Sequence, residues 1–288
     1  MTGVLVTGGT GKTGGALVRL LRGNGVPLRV ASRHPSADDP DAVRFDWEDP
    51  TTHPAALRGM DRIFLVPPVN SVDPILSVGP FLAEARRLGV RRVVLLGSAI
   101  VLPNAPSAVE MAARVRARPG GVVLRASGFM QNFLSPHPVG ERILRHGEVH
   151  TAAGEGAVGW IDARDVAAAA SALLADPGVE PDSQRDYLLT GPKALSYRDA
   201  AAIITARTGR KVRVVTVGTE EQAFAYRAAG MPSEFAAAVA AVEDGIRRGL
   251  HDQVSTAVLD LTGRPPRSFD AFVREHRIGL GGNGGFEH

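Results

Sequence analysis

Short apolar runs alternate with longer amphipathic stretches through the first half of this chain. The short runs are rich in β-branched residues, and the longer stretches repeat their apolar positions at helical spacing. Strands are therefore predicted at residues 4–7, 28–32, 43–45, 62–66, 92–96 and 122–125, and helices at residues 14–22, 74–88 and 108–116. This alternation predicts an α/β fold in which helices cover both faces of a parallel sheet.

The second half of the chain has a looser pattern. Asp162 stands at the N-cap of an alanine-rich helix over residues 162–176, and "YLLTGP" indicates a short strand near residues 186–190. A later helix begins at Ser196 and Asp199, whose spacing is close to a capping box. The strand "KVRVVTV" follows, and the rest is mostly helical.

A glycine-rich stretch, "VTGGTGKTGG", joins the first predicted strand to the first helix. A nucleoside-triphosphate loop would need a glycine five positions before Gly11, where Val6 stands, so that pattern fails. The dinucleotide pattern G-x-G-x-x-G fits at Gly9, Gly11 and Gly14, and the looser T-G-x-x-G-x-x-G begins at Thr7. Such glycines let the backbone approach a diphosphate at a helix N-terminus, which predicts a Rossmann-type, doubly wound sheet that binds a dinucleotide.

The end of the second strand favours one dinucleotide over the other. An enzyme that prefers NAD places an acid there to bind the ribose 2′-hydroxyl. This chain has Ser32, Arg33 and His34 at that point, and no acid before Asp38. A guanidinium binds a 2′-phosphate through charge-assisted hydrogen bonds, so NADP(H) is predicted over NAD(H). The alternative is that Arg33 is an ordinary surface arginine.

Two more strand ends are expected at the same site. Asp46 follows the third strand, where its side chain could reach the adenine or could simply initiate a turn. The sequence "LVPP" ends the fourth strand, and its two prolines predict a rigid loop near the switch point of the sheet. Val66 and Pro67 are therefore expected to contact the cofactor.

These patterns predict that the chain has a cofactor-binding domain and a substrate-binding part. Residues 1–135 form the Rossmann domain, to which helix 162–176 and strand 186–190 return. A smaller, mainly helical part that binds the substrate comprises residues 136–160 and 191–280. Residues 281–288 are expected to be a disordered tail.

Composition narrows the class of protein. The chain has 288 residues, 44% of them apolar and 22% charged, no cysteine and a formal net charge of +3. No apolar stretch has the length of a membrane helix, and acids are interleaved with the arginines. We expect a cytoplasmic protein, monomeric or homodimeric, that binds a small molecule rather than nucleic acid or a membrane.

Four segments together resemble the NmrA-like family of atypical short-chain dehydrogenases/reductases. They are "VLVTGGTGKTGGALVRLL", "FLAEARRLGVRRVVLLGS", "LRASGFMQNF" and "GWIDARDVAAAA". The "TGGTGKTG" form is especially similar to the branch of ergot-alkaloid iminium reductases, and quinone oxidoreductases form a neighbouring branch. The resemblance implies a nicotinamide cofactor and a reductase or dehydrogenase activity.

The resemblance also implies roles for individual residues. Phe129, Met130 and Asn132 would approach the nicotinamide and the substrate, and Trp160 is assigned to the substrate side. The alternative is that "GFMQNF" is ordinary core, because Phe129, Met130 and Phe133 have partly helical spacing. The diphosphate would be lined by Gly8, Thr10, Gly11, Lys12, Thr13 and Gly14, and the 2′-phosphate by Arg33.

No common catalytic set is present. Most short-chain dehydrogenases use a Tyr-x-x-x-Lys pair, but glycine or alanine stands four positions after each of the three tyrosines. Ser98 ends the fifth strand and is a candidate together with Phe129 and Asn132, although a polar strand end explains it equally well. "HGEVH" does not match the zinc motif H-E-x-x-H, and no metal is expected.

Without a Tyr-Lys pair, the chain lacks the usual acid that protonates a carbonyl oxygen. This absence favours hydride acceptors that need no such acid. An iminium ion is neutralised by hydride, and a reduced quinone carries a delocalised charge, so both need mainly positioning. Glu110 or Asp162 could favour a cationic substrate, or could be surface and capping residues. The prediction is an NADPH-dependent reductase of an imine, iminium or quinone. The alternatives are a non-enzymatic NADP(H) sensor that regulates a partner protein, and a non-redox cyclisation or isomerisation.

Overall fold

The computed structural model describes residues 2–68, 71, 73–102, 106–175 and 186–277. Its strands are β1 (Val4–Val6), β2 (Leu28–Ser32), β3 (Ala42–Arg44), β4 (Arg62–Leu65), β5 (Arg92–Ser98), β6 (Gly121–Ala126), β7 (Glu148–Thr151), β8 (Ala157–Val158), β9 (Asp186–Leu189), β10 (Leu195–Ser196) and β11 (Arg213–Thr216). Its helices are α1 (Lys12–Gly23), α2 (His53–Leu57), α3 (Ile75–Arg87), α4 (Pro106–Ala117), α5 (Pro138–His146), α6 (Ala163–Leu174), α7 (Tyr197–Thr208), α8 (Thr219–Ala228), α9 (Ser233–Arg247), α10 (Ala257–Thr262) and α11 (Phe269–His276).

Seven strands form one parallel sheet in the order β3-β2-β1-β4-β5-β6-β9. The chain moves outward from β1 to β3, crosses back to β4 beside β1, and then continues in the other direction. The switch point therefore lies between β1 and β4, where ligands of open α/β sheets bind. The predicted Rossmann-type α/β fold is confirmed.

Helices cover both faces of the sheet, as the apolar strands require. On one face, α1 and α6 pack together, and Leu17 and Leu173 belong to the same core as Val4 of β1. On the other face, Phe81 of α3 packs with Leu5, which points away from Val4 because side chains alternate along a strand. The second half of the chain thus returns to the sheet through α6 and β9.

A separate core lies in the mainly helical C-terminal part. Phe133, Trp160 and Phe269 meet edge to face in it, with ring centroids 4.8–5.0 Å apart. Two small sheets border this core, since β7 pairs with β11 in parallel and β8 pairs with β10 antiparallel. The predicted capping box at the start of α7 is confirmed, because Ser196 and Asp199 each bond the other's backbone N–H.

The sequence pattern did not predict α2, α5 or the short strands β7, β8 and β10. The "HGEVH" stretch shows why: α5 ends at His146, Gly147 adopts a left-handed conformation with φ of 66°, and β7 starts at the next residue. Because a turn of this kind divides the segment, the segment is too short to show a clear hydrophobic period. The predicted tail at residues 281–288 lies outside the described residues, within which no helix is long and apolar enough to cross a membrane.

Candidate functional site

A cavity of about 930 Å³ opens at the carboxyl ends of the strands around the switch point. The turns that follow β1, β2, β3 and β4 line one side of it, and the loop after β6 lines the other. Twelve of the residues proposed from the sequence are on its wall: Gly8, Thr10, Gly11, Lys12, Thr13, Gly14, Arg33, Asp46, Val66, Pro67, Phe129 and Asn132. Parallel strands bring these distant segments together because their carboxyl ends meet at one edge of the sheet.

Three proposed residues lie elsewhere. Ser98 is at the exposed end of β5, where its hydroxyl donates to the carbonyl oxygen of Ile100 at 2.7 Å. Met130 and Trp160 are buried in the C-terminal core, 1% and 3% exposed, and the Trp160 indole N–H donates to the Leu195 carbonyl. The interpretation of "GFMQNF" as ordinary core therefore describes Met130 and Phe133, whereas Phe129 and Asn132 face the cavity.

The glycine turn has a shape that side chains would block. Gly8 has a φ of 61°, in the left-handed region that glycine adopts readily. A β-carbon on Gly14 would lie 2.8 Å from the carbonyl carbon of Gly8 and 2.9 Å from the Cα of Gly9, closer than real contacts allow. The start of α1 therefore packs directly against the turn, as the third glycine of a dinucleotide motif requires.

Unused donors face the cavity at the start of α1. Gly11 is the N-cap and provides no side chain to bond the first turn. The backbone N–H groups of Lys12, Thr13 and Gly14 have no acceptor among the described residues. Free N–H groups and the positive end of the helix dipole together suit a phosphate. The turn thus fits the diphosphate of a dinucleotide.

Arg33 marks the far end of the cavity. Its side chain is exposed and makes no hydrogen bond or ion pair with any other described residue, whereas Arg22 on α1 pairs with Asp39 and Asp41. Asp46 lies near the same end, and its Oδ1 accepts from the backbone N–H of Glu48 at 3.1 Å. Asp46 therefore initiates a turn, as one interpretation had it, and it also lines the cavity, while its contact with an adenine stays a prediction.

An aromatic wall beside Asp46 was missed by the sequence analysis. Trp47 lines the cavity and contacts Phe45 and Phe81 edge to face, with centroids 4.8 and 5.2 Å away. His53 stacks on Phe45 beneath it. The only sequence signal was a tryptophan next to Asp46 at a strand end, since the contacts with α2 and α3 exist only in the folded chain.

Buried hydrogen bonds hold the two central strand ends together. Thr7, fully buried after β1, accepts a hydrogen bond from the Val66 backbone N–H at 2.7 Å through its hydroxyl oxygen. Val66 follows β4, so this bond joins neighbouring strands at the switch point. The bond positions Val66 and Pro67 on the cavity wall.

The loop after β6 is held by a buried polar network. The Gln131 side chain donates to Asp162 Oδ1 at 2.9 Å and accepts from the Ala163 backbone N–H at 3.1 Å. Asp162 caps α6, as predicted, and forms an ion pair with Arg164. Burial by itself would raise the pKa of Asp162, but the bonds from Arg164 and Gln131 bring the pKa below its usual value. This network positions Asn132, and no local pattern indicated that Gln131 meets Asp162.

A lysine and a histidine come close beside this loop. The Lys12 side chain reaches from α1 so that its Nζ lies 3.4 Å from the Gln131 carbonyl oxygen, and desolvation there lowers the pKa of Lys12. His137 caps α5, with Nδ1 accepting from the Val139 backbone N–H at 3.2 Å. Burial and the nearby Lys12 charge lower the pKa of His137 to about 4, so His137 is neutral and Lys12 is the charged group.

None of the three tyrosines is on the cavity wall. Tyr187 is in the core under the sheet, Tyr197 is in the C-terminal core, and Tyr226 donates to the buried carboxylate of Glu243 at 2.9 Å. Burial raises the pKa values of Tyr197 and Tyr226. The absence of a Tyr-x-x-x-Lys pair in the sequence is therefore matched by the absence of a tyrosine among the described cavity residues.

Glu110 and Asp162 do not provide a free carboxylate at this site. Glu110 pairs with Arg114 on the exposed side of α4, and Asp162 is fully buried. The two acids on the described cavity wall, Asp46 and Glu48, both follow β3 at the Arg33 end.

Several proteins are similar in sequence to this chain over most of its length. No protein-family model matches it. YesF of Bacillus subtilis strain 168, an uncharacterized oxidoreductase, is 38% identical over 275 residues, covering 95% of this chain and 94% of that protein. Agroclavine dehydrogenase of Claviceps fusiformis is 32% identical over 286 residues, with coverage of 95% and 97%. The NAD(P)H azoreductase of Xenophilus azovorans is 32% identical over 294 residues, with coverage of 96% and 99%.

Solved structures share the fold. The NADPH-dependent quinone oxidoreductase QOR2 of Escherichia coli, in complex with NADPH, matches with a TM-score of 0.78 at 22% identity, over 94% of this chain and 99% of that one. Nmra, a negative transcriptional regulator, matches with a TM-score of 0.72 at 17% identity, over 96% and 95%. The chain therefore belongs to the NmrA-like family of atypical short-chain dehydrogenases/reductases, as the sequence resemblance predicted, and it is an oxidoreductase.

Proposed function

We propose that this protein is an NADPH-dependent reductase that delivers hydride to an imine, iminium or quinone-like small molecule without a Tyr-Lys pair. The observation that carries the proposal is the wall of the 930 Å³ cavity. It has a glycine turn in its middle, the Arg33 guanidinium at one end, and the loop of Phe129 and Asn132 at the other; neither the first N–H groups of the turn nor the guanidinium has a partner within the described part of the chain. It contains no tyrosine among the described residues.

The residues divide into three groups along the cavity. The N–H groups of Lys12, Thr13 and Gly14 would hold the diphosphate of NADPH. Arg33 would bind the 2′-phosphate, with Trp47 and Asp46 beside the adenine. A larger group is left for the nicotinamide and the substrate: Val66, Pro67, Leu96, Phe129 and Asn132.

Bound NADPH supplies a hydride, and the protein supplies position. Apolar walls at Val66, Leu96 and Phe129 exclude water from a planar substrate, and Asn132 offers an amide for orientation. An acceptor that is readily reduced needs little more than this alignment. The relative named NAD(P)H azoreductase supports a reductive role with a nicotinamide cofactor, and the relative named agroclavine dehydrogenase supports a redox role.

The test measures binding and turnover separately. Calorimetric titrations with NADPH and with NADH are expected to show tighter binding of NADPH. NADPH absorbance is then followed with a panel of quinones and cyclic imines, where at least one acceptor is expected to be reduced. Tight NADPH binding without turnover of any acceptor would instead favour a non-catalytic NADP(H) sensor. A monomeric or homodimeric state and a cytoplasmic location stay predictions.

A further inference from the structure

A second cavity, here called the arginine cavity, lies between α1, α6 and the loop that joins α10 to α11. Its volume is about 480 Å³, within the range of small-molecule sites. No described residue lines both this cavity and the 930 Å³ cavity at the switch point of the sheet, here called the switch-point cavity. The described wall of the arginine cavity consists of Ala16, Arg19, Leu20, Arg164, Asp165, Ala168, Thr262, Arg264, Pro265 and Arg267.

This wall has a surplus of positive charge. Four of its five charged residues are arginines. Two of them, Arg164 and Arg267, form ion pairs with neighbouring carboxylates. The other two, Arg19 and Arg264, are exposed, and their guanidinium groups have no acceptor within the described part of the chain. Because neither lines the switch-point cavity, a cofactor bound there would leave both guanidinium groups available to another anion.

The loop that carries Arg264 is held in place at both ends. The backbone N–H of Arg264 donates to the Thr262 hydroxyl oxygen at 3.2 Å, and the two residues that follow are prolines, whose rings fix φ. Arg267 donates to the Asp165 carboxylate through its backbone N–H, at 2.7 Å, and also through its guanidinium. Since the loop is ordered before a ligand arrives, binding costs little conformational entropy in its backbone.

The rest of the wall is largely apolar. Ala16 and Leu20 come from α1, Ala168 comes from α6, and Pro265 comes from the loop. Leu20 is 40% exposed, so contact with an apolar group would remove part of its surface from water, which is favourable. The arginine cavity thus combines cationic and apolar surface, as a site for an anion with an apolar body requires.

We propose that the arginine cavity is a second binding site, which takes a small phosphate monoester with an apolar body. Arg19 and Arg264 would bind the phosphate oxygens, because the planar guanidinium group donates paired hydrogen bonds to phosphate. Two cations favour the dianion of a phosphate ester over a single carboxylate. This site is separate from the proposed reductase function, since it uses none of the residues assigned to NADPH or to the acceptor.

Calorimetric titration with 1-naphthyl phosphate tests the proposal at about pH 8, where the ester is a dianion. The protein is saturated with NADPH, so that the switch-point cavity is closed to the ester. The wild type is expected to bind 1-naphthyl phosphate more tightly than inorganic phosphate, which has no apolar body, and more tightly than 2-naphthoate, which has one charge. Equal or tighter binding of either reference anion would overturn the proposal.

Arg19→Gln and Arg264→Gln remove the two cations without breaking an ion pair of the described chain. Each is expected to weaken binding of 1-naphthyl phosphate roughly 10-fold, and the double variant should lose more, because hydrogen bonds between charged groups are lost. Thermal unfolding of the double variant should match that of the wild type. A double variant that is folded and binds the ester as the wild type does would refute the assignment.

Arg33→Gln is the matched control, because Arg33 is an exposed arginine on the wall of the switch-point cavity. It should weaken NADPH binding and leave binding of 1-naphthyl phosphate unchanged, and the double variant should show the reverse. If Arg33→Gln or saturating NADPH abolishes binding of the ester, the ester occupies the switch-point cavity and the proposal is wrong. If the ester binds as expected but NADPH does not bind, the second site stands and the reductase function fails.

Discussion

A β-carbon on Gly14 would meet the peptide carbonyl of Gly8, since only 2.8 Å separates its position from the Gly8 carbonyl carbon. Gly8 is in the turn after β1 and Gly14 is in the first turn of α1, so this contact sets how closely the helix approaches the strand. The neighbouring atoms are backbone, and they cannot move aside as the end of a flexible side chain could.

We therefore expect Gly14→Ala to destabilise the protein by about 1–3 kcal/mol, the range for overpacking a tight site, and to weaken NADPH binding. Gly15→Ala is the matched control, because its β-carbon would find its nearest atom, the Gly9 carbonyl oxygen, at an ordinary 3.5 Å. That variant should be neutral or stabilised, since alanine favours a helix over glycine by about 1 kcal/mol. Thermal unfolding and NADPH titration of both variants check this, and equal behaviour would contradict it.

Arg33→Gln should change the choice of cofactor. Losing charge-assisted bonds of about 1.5–3 kcal/mol to the 2′-phosphate would weaken NADPH binding roughly 10- to 100-fold and leave NADH binding unchanged. Arg44→Gln on β3 removes an exposed arginine that does not line the cavity, and it should affect neither cofactor. Calorimetric titration with both cofactors measures this, and a parallel loss of NADH affinity would show that Arg33 does not read the 2′-phosphate.

His137 should make stability depend on pH. Burial, with the Lys12 charge, lowers the pKa of this histidine to about 4 from 6.5. As pH falls, this histidine is protonated in the unfolded chain before it is protonated in the folded protein. The free energy of unfolding is therefore at its full value above pH 6.5 and decreases as pH falls towards 4, by up to about 1.4 kcal/mol per pH unit.

The variant His137→Asn retains an N-cap for α5 and removes this titration. Its free energy of unfolding should therefore fall less than that of the wild type between pH 6.5 and 4. His34→Asn, at an exposed histidine, should follow the wild type. Denaturant unfolding at a series of pH values measures all three, and identical slopes for wild type and His137→Asn would refute the assignment.

Tyr197→Phe should leave catalysis intact. Tyr197 is buried in the C-terminal core, with its ring 5.2 Å from that of Trp160, and it is not on the cavity wall. With any acceptor that the wild type reduces, kcat should change by less than about twofold, whereas loss of a general acid costs roughly 10²-fold or more. Thermal unfolding serves as the control for folding. A large loss of kcat in a stable variant would place a tyrosine in the chemistry.

Local sequence was sufficient to predict a structural feature wherever the residues of one segment determine that feature by themselves. The alternation of buried strands and helices predicted the parallel sheet, because a strand covered on both faces must be apolar throughout. The glycines predicted the turn at Gly8 and Gly14, because only residues without a β-carbon fit there. Asp162 and Ser196 were found as helix caps because a cap acts within a few residues.

Tertiary structure decided what depends on distant segments. Met130 and Asn132 are two residues apart in one motif, yet one is core and the other faces the cavity, and only packing of the loop against α6 separates them. Gln131 meets Asp162, and Lys12 reaches Gln131, across more than thirty and more than one hundred positions of the chain. The pattern of residue types along the chain shows short-range periodicity and the backbone shape of single segments. The pairing of one charged or polar side chain with another depends on long-range contacts, which form only when the sheet brings the strand ends together.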